Sequence, residues 1–171
     1  MEPVMQDAKV FIGRAYADAQ ASANDSFQEV WEDWAAQDRF APLDELASGE
    51  QHRASLVVFS PYGTMIYWVG AIFPADTAVP SGYQSFSLPA ATAATVSKKA
   101  GMMFHEYPVS MAVSQGVTAL DQAGFELPEY FGQTATPYYL EDYTLTDGKV
   151  AQVTYTVYVG ADKDYGFDDV D

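Results

Sequence analysis

Apolar residues recur along the chain with two periods, and the change from one period to the other happens twice in the same order. Lys9 to Ala17 alternates as a strand, with Val10, Ile12 and Tyr16 on one face and Arg14 interrupting it. The period then lengthens: Phe27, Val30, Trp31 and Trp34 fall on one helical stripe, and Ser26-Phe27-Gln28-Glu29 predicts a capping box at its start. Pro42 to Glu50 reads as an acidic loop. Two strands follow, Leu56 to Phe59 and Met65 to Phe73, joined by the turn residues Ser60-Pro61-Tyr62-Gly63. After Pro74 to Gly82 the order repeats. Tyr83 to Ser97 reads as a strand broken near Pro89, and about Pro108 to Gln122 as a helix with Val109, Ala112, Val113, Gly116, Val117 and Leu120 on its stripe and Gly124 as its cap. Tyr138 to Leu145 and Ala151 to Val159 then form a hairpin around Thr146-Asp147-Gly148-Lys149.

The chain therefore reads as two copies of strand, helix, strand, strand with little residue identity, about residues 8–73 and 83–159. Together they predict one α+β domain over residues 1–160: duplicated modules forming a pseudo-twofold antiparallel sheet assembly, two helices on one face and a central ligand cleft where the halves meet. Residues 161–171, with Asp162, Asp164, Asp168, Asp169 and Asp171, are an acidic tail expected to be solvated.

One strand carries acid where hydrocarbon is expected. In Pro137 to Leu145, period two puts Tyr139, Glu141 and Tyr143 on one face and Asp142 on the other. An ionised carboxyl in an apolar setting is costly unless paired, so that face is either wet or waits for a cation. Aromatic faces attract cations by about 0.5–2 kcal/mol each, so phenols around one carboxylate suit a flat, delocalised cation. The ordinary alternative is an exposed strand glutamate between packed tyrosines.

Charge sharpens this. The chain has 171 residues, 49% of them hydrophobic, and 8 Lys+Arg against 24 Asp+Glu give a formal net charge of −16. Such a surface repels a phosphate backbone, so no nucleic-acid partner is expected. The acidity reads as solubility, as adaptation to a salty interior, or as attraction for positively charged ligands. With no cysteine, disulfides and thiolate metal sites are excluded. His52 and His105, far apart in sequence, argue against a histidine-rich metal centre, whereas carboxylate-bound metal stays open. No cofactor is expected. No apolar run of about 18 residues and no basic, apolar leader is seen, so no membrane partner and a cytoplasmic location are expected.

Several pieces in order resemble the GyrI-like small-molecule-binding family, which includes a gyrase-inhibitory protein and the effector-binding domains of multidrug-responsive transcription regulators. They are Ile12-Gly13, Val30-Trp31-Glu32-Asp33-Trp34, Ile66-Tyr67-Trp68-Val69-Gly70, Pro80-Ser81-Gly82-Tyr83 and Glu141-Asp142-Tyr143, spanning roughly residues 5–160. The resemblance implies an eight-stranded duplicated fold and an aromatic pocket whose acidic residue is Glu141, counter-charge for lipophilic cations. Two places depart from the family. Leu88-Pro89-Ala90-Ala91-Thr92-Ala93 replaces a Pro-x-Gly motif and a later Gly-Tyr, and the last strand ends Val157-Tyr158-Val159-Gly160 rather than Ile-Pro-Val. Too few residues lie outside the duplication for a helix-turn-helix, so a stand-alone module is expected.

The candidate ligand-binding residues are thus Glu141, Tyr139, Tyr143, Tyr67, Trp68, Trp31, Trp34, Phe104 and Tyr155. Tyr67 and Trp68 point to opposite faces, so one of them lines a given pocket. Trp31 and Trp34 could equally be core, as could Tyr155, which shares its face with Val153, Val157 and Val159. Phe104, His105 and Tyr107 lie in the loop before the second helix, where a lid could close, although a lone histidine there is more often a surface residue. The leading expectation is a non-catalytic binder of lipophilic cationic or aromatic small molecules. The alternatives are a hydrolase of strained electrophiles using Glu141 as acid or base, and an acidic interaction protein resembling the gyrase inhibitor.

Overall fold

Two bent ribbons determine the shape of the sheet. The computed structural model describes residues 2–48, 50–60, 62–103 and 105–159. Its strands are β1 (Val4–Gln6), β2 (Lys9–Ala17), β3 (Gln51–Phe59), β4 (Met65–Pro74), β5 (Gln84–Leu88), β6 (Ala91–Lys99), β7 (Tyr138–Thr146) and β8 (Lys149–Tyr158). The α-helices are α1 (Gln28–Ala36), α2 (Ala41–Leu46) and α3 (Val109–Gln122). β1 and β2 form one ribbon interrupted at Asp7-Ala8, and β5 and β6 another interrupted at Pro89-Ala90. They pair antiparallel in one register, with Gly13 opposite Gln84, Lys9 opposite Leu88, Gln6 opposite Ala91 and Val4 opposite Ala93. Pro89 has no N–H to give to a ladder, so the second ribbon breaks there.

The strand order is β1-β6-β8-β7-β3-β4-β2-β5, all antiparallel. Since β1 runs into β2 and β5 into β6, the ribbons draw the two ends of this order together and the sheet curls. The halves meet at the β3–β7 seam, where Ser55 stands opposite Glu141 and Val57 opposite Tyr139.

Curling lets both faces bury apolar surface. Helices cover one face, over a core that includes Ile12, Trp34, Val57, Val69, Leu120 and Val157. The other face, on Phe11, Leu56, Trp68, Leu88 and Leu140, is buried by the sheet itself. Edge-to-face ring contacts run through it from Phe11 to Trp68, Phe86, Tyr138 and Tyr158. Among the described residues no helix is long and apolar enough to cross a membrane.

The expected α+β class and duplicated order are seen, with four differences of detail. The capping box is absent: α1 begins at Gln28 with no side-chain cap. The Ser26 hydroxyl donates instead to Asn24 Oδ1 at 2.7 Å, and Asp25 turns the chain through a left-handed φ of 62°. Second, the expected loop at Pro42 contains α2, so three α-helices rather than two are present. Pro42 suits a first helical turn, Leu43 is buried, and Asp44 takes a two-pronged ion pair from Arg53 at 2.7 and 3.2 Å. Third, β3 starts at Gln51 rather than Leu56. Its polar start was hidden from the apolar pattern, because Arg53 is held by Asp44 and His52 by Glu50 and Asp142. Fourth, the structure adds β1, which is too short and exposed to carry a pattern. The β7–β8 turn is as expected, with Asp147 and Gly148 at φ 54° and 77°. The acidic tail lies outside the described residues.

β2 and β4 approach closely at Gly13 and Gly70, which are register partners. A Cβ on Gly70 would overlap the Ile12 carbonyl, and one on Gly13 the Val69 carbonyl. Gly70→Ala is therefore expected to destabilise the protein by about 1–3 kcal/mol, read as a lower urea midpoint. Gly148→Asn, at a turn position with open space around it, should shift the midpoint far less.

Candidate functional site

β7 places three functional groups in a row. Tyr139, Glu141 and Tyr143 project from one face of the strand toward the helices, and all three are buried, Glu141 being 5% exposed. Both phenols turn inward: Tyr139 donates to Glu141 Oε2 at 2.6 Å and Tyr143 to Oε1 at 2.8 Å. Each carboxylate oxygen thus has one short, charge-assisted donor. No basic side chain among the described residues pairs with it. Burial raises the Glu141 pKa above the usual carboxylate range, against the opposing effect of the two phenols. Tyr139 is pushed well up, first by burial and then by the neighbouring carboxylate.

α3 supplies the wall behind Tyr139. The Tyr139 hydroxyl lies 3.1 Å from the Ala112 carbonyl, and its ring packs where a Cβ on Gly116 would overlap it. A glycine that weakens the helix as a helix is thus the residue that lets the tyrosine pass beneath it.

α1 and β4 supply the opposite wall. Tyr67 stacks flat on Phe27, ring centroids 4.2 Å apart and planes 2° from parallel. Trp31 Nε1 donates to the Tyr67 hydroxyl at 2.9 Å, and Trp31 stacks at 5.3 Å on His105. Burial raises the Tyr67 pKa strongly and lowers that of His105, favouring neutral imidazole. His105 Nδ1 is buried without a hydrogen-bond partner among the described residues. The space these groups enclose is about 20 Å³, enough for about one water.

The structure thus brings together Glu141, Tyr139, Tyr143, Tyr67 and Trp31 from the sequence candidates. Three others lie elsewhere. Trp68 occupies the opposite face of β4, inside the curl, because neighbouring strand residues point to opposite sides. Trp34 sits against β2, where its Nε1 donates to Tyr16 at 2.8 Å. Tyr155 is the β8 partner of Glu141 but lines a shallow groove beside Lys98 and Gln115 on the far side of α3. Phe104 lies outside the described residues. Asp142 faces away, 3.5 Å from His52 Nδ1.

The sequence does not assign Phe27, Ser55 or Val113 to this chamber, and it leaves His105 between a lid position and an ordinary surface residue. Phe27 was legible as one turn before Trp31 on the helical stripe. Ser55 had no signal, since its place depends on the pairing of β3 with β7. Among the described residues no group of three His, Asp or Glu side chains converges to hold a metal ion.

No family model matches the chain, and no curated protein matches its sequence. Solved structures resemble it in fold. SAV2435, in a structure with bound tetraphenylphosphonium, aligns over 92% of this chain and 94% of its own, with a TM-score of 0.55 at 12% identity. The two chains share a fold. A protein from Staphylococcus aureus Mu50, described as concerned with bacterial transcription regulation, aligns over 92% of this chain and 99% of its own, with a TM-score of 0.46 at 12% identity.

The raised pKa of Glu141 has a direct consequence for stability. Above the ordinary glutamate range the unfolded state has released a proton that the folded state still holds. Glu141 therefore costs stability progressively as pH rises from that range to its folded pKa, and the cost is constant above it. Glu141→Gln is expected to gain in melting temperature relative to wild type between about pH 4 and about pH 8. An equal difference at both ends would show that Glu141 is not perturbed. Gly116→Ala should destabilise by about 1–3 kcal/mol despite alanine's better helix propensity. In a double-mutant cycle with Tyr139→Phe its cost should be non-additive.

Proposed function

We propose that this protein binds lipophilic cationic or aromatic small molecules, with Glu141 as the counter-charge and Tyr139, Tyr143, Tyr67 and Trp31 as the surrounding aromatic wall. The observation that carries the reading is the carboxylate itself: 5% exposed, held by two phenols, without a basic partner among the described residues. Such a group is expensive to keep charged, and a bound cation would relieve that cost. The fold shared with SAV2435, whose structure holds tetraphenylphosphonium, supports the same class of ligand. The net charge of −16 adds a long-range pull that salt would screen.

A drug-sized ligand does not fit the chamber as it stands. Phe27 lies flat on Tyr67, where an aryl ring of the ligand would stack, so binding displaces Phe27. Exchanging one ring for another costs little, since an aromatic pair is worth about 0.5–1.5 kcal/mol. The charge pairing supplies the net gain.

A cation favours ionised Glu141. Below the folded pKa of Glu141, binding therefore expels a proton, and affinity rises with pH until that pKa is passed. In a titration with tetraphenylphosphonium followed at the Trp31 indole N–H resonance, Glu141→Gln should bind at least about tenfold more weakly, a loss of about 1.4 kcal/mol. Its remaining affinity should not vary with pH across the range where wild type does. Equal affinity in both proteins would remove Glu141 from the site.

A further inference from the structure

A second, larger space lies against the chamber and does not contain Glu141. It opens between the β2–α1 connection, the end of the β3–β4 hairpin, the first turns of α3 and the segment 130–133, and encloses about 590 Å³. That is within the range of about 300–1,000 Å³ typical of small-molecule sites. Its floor and sides are largely apolar, with Phe59, Met65 and Val113 half-buried and Tyr130 standing 65% exposed at the rim.

The charge of this groove has one sign. Asp18 and Asp25 line it, and no described lining residue is basic. The start of α3 also faces it and would ordinarily favour an anion. Here, however, the Val109 N–H is taken by the Asp25 carbonyl at 3.1 Å, and the Met111 and Ala112 N–H groups by the Pro108 carbonyl at 3.0 and 3.1 Å. Two full carboxylates outweigh what remains of the helix end. An anionic ligand would meet repulsion, and a neutral one would gain nothing from the acids.

We infer that this groove is a binding site in its own right, for drug-sized lipophilic cations that lay an apolar surface on Phe59, Met65 and Val113 while their charge lies in the field of Asp18 and Asp25. It needs no displacement of Phe27 and no ionised Glu141. Val109 and Val113 line both spaces, so the groove and the chamber are separated by the thickness of single side chains.

The test uses the full chain, labelled for amide resonances, and tetraphenylphosphonium as the probe, with triphenylphosphine oxide as its uncharged counterpart. Amides of Gly63, Ser110 and Gly132 report the groove, and the Trp31 indole reports the chamber. The groove amides should shift on titration and keep the same affinity within about twofold in Glu141→Gln. Ser110→Trp, at an exposed helix position, should fill the groove and weaken the groove response by at least tenfold. Asp18→Asn/Asp25→Asn should weaken it and flatten its salt dependence, asparagine being tolerated at the left-handed φ of residue 25. The inference is overturned if the groove amides stay still in wild type, if Ser110→Trp binds unchanged, if triphenylphosphine oxide binds the groove as well as the cation, or if Glu141→Gln abolishes the groove response. A groove response without any Trp31 response would leave this site standing and remove the chamber reading instead.

Discussion

The constraint on which the rest of the site depends is the cost of burying the Glu141 carboxylate. Taking a carboxylate out of water costs several kcal/mol, and two phenol hydrogen bonds of about 1.5–3 kcal/mol each offset only part of it, in line with the raised pKa. The local sequence follows from that requirement. Tyrosines two residues either side of the acid are the positions that share its face. Their hydroxyls converge on the two oxygens at 2.6 and 2.8 Å. Tyr139 can take that pose because Gly116 leaves the helix surface bare above it. A structural role alone would be served as well by a neutral residue of the same shape, and it is on this acid that the proposed ligand role rests.

The position of that acid follows from topology. The two bent ribbons curl the sheet and leave β3 and β7 side by side at the seam between the halves. Glu141 therefore faces Ser55 from the first half across the seam and Tyr155 from its own hairpin. α1 and α3 lie over this same row, one from each half. The aromatic wall then has two sources: Phe27, Trp31 and Tyr67 from the first half, Tyr139 and Tyr143 from the second. Neither half contains the site alone.

What could be read from the sequence was whatever depends on local periodicity. Period two put Tyr139, Glu141 and Tyr143 on one face and placed Trp68 opposite Tyr67. Helical spacing grouped Phe27 with Trp31, and Asp147-Gly148 marked the last hairpin. What could not be read depends on pairing across long separations or on polar residues whose partners are distant. Ser55 becomes a neighbour of Glu141 only through the β3–β7 register. The start of β3 carries no strand pattern because His52 and Arg53 are polar, and nothing local shows that Asp142, Glu50 and Asp44 hold them. The helix α2 was obscured for the same reason. The fullness of the chamber was equally hidden, since it depends on how Phe27 and Tyr67 pack rather than on which residues are present.

The chamber and the groove are joined by more than a shared wall. Asp25, Ser26 and Phe27 are consecutive. The Asp25 carbonyl holds the first N–H of α3 and its side chain lines the groove, while Phe27 lies on Tyr67 and fills the chamber. Ser26, buried between them and tied to Asn24, gives this short link little slack, and Asn24 itself donates to the Glu106 carbonyl at 3.2 Å. The backbone that carries Phe27 is therefore continuous with the backbone that anchors the start of α3. Val109 and Val113, the side chains common to both spaces, sit on the turns so anchored.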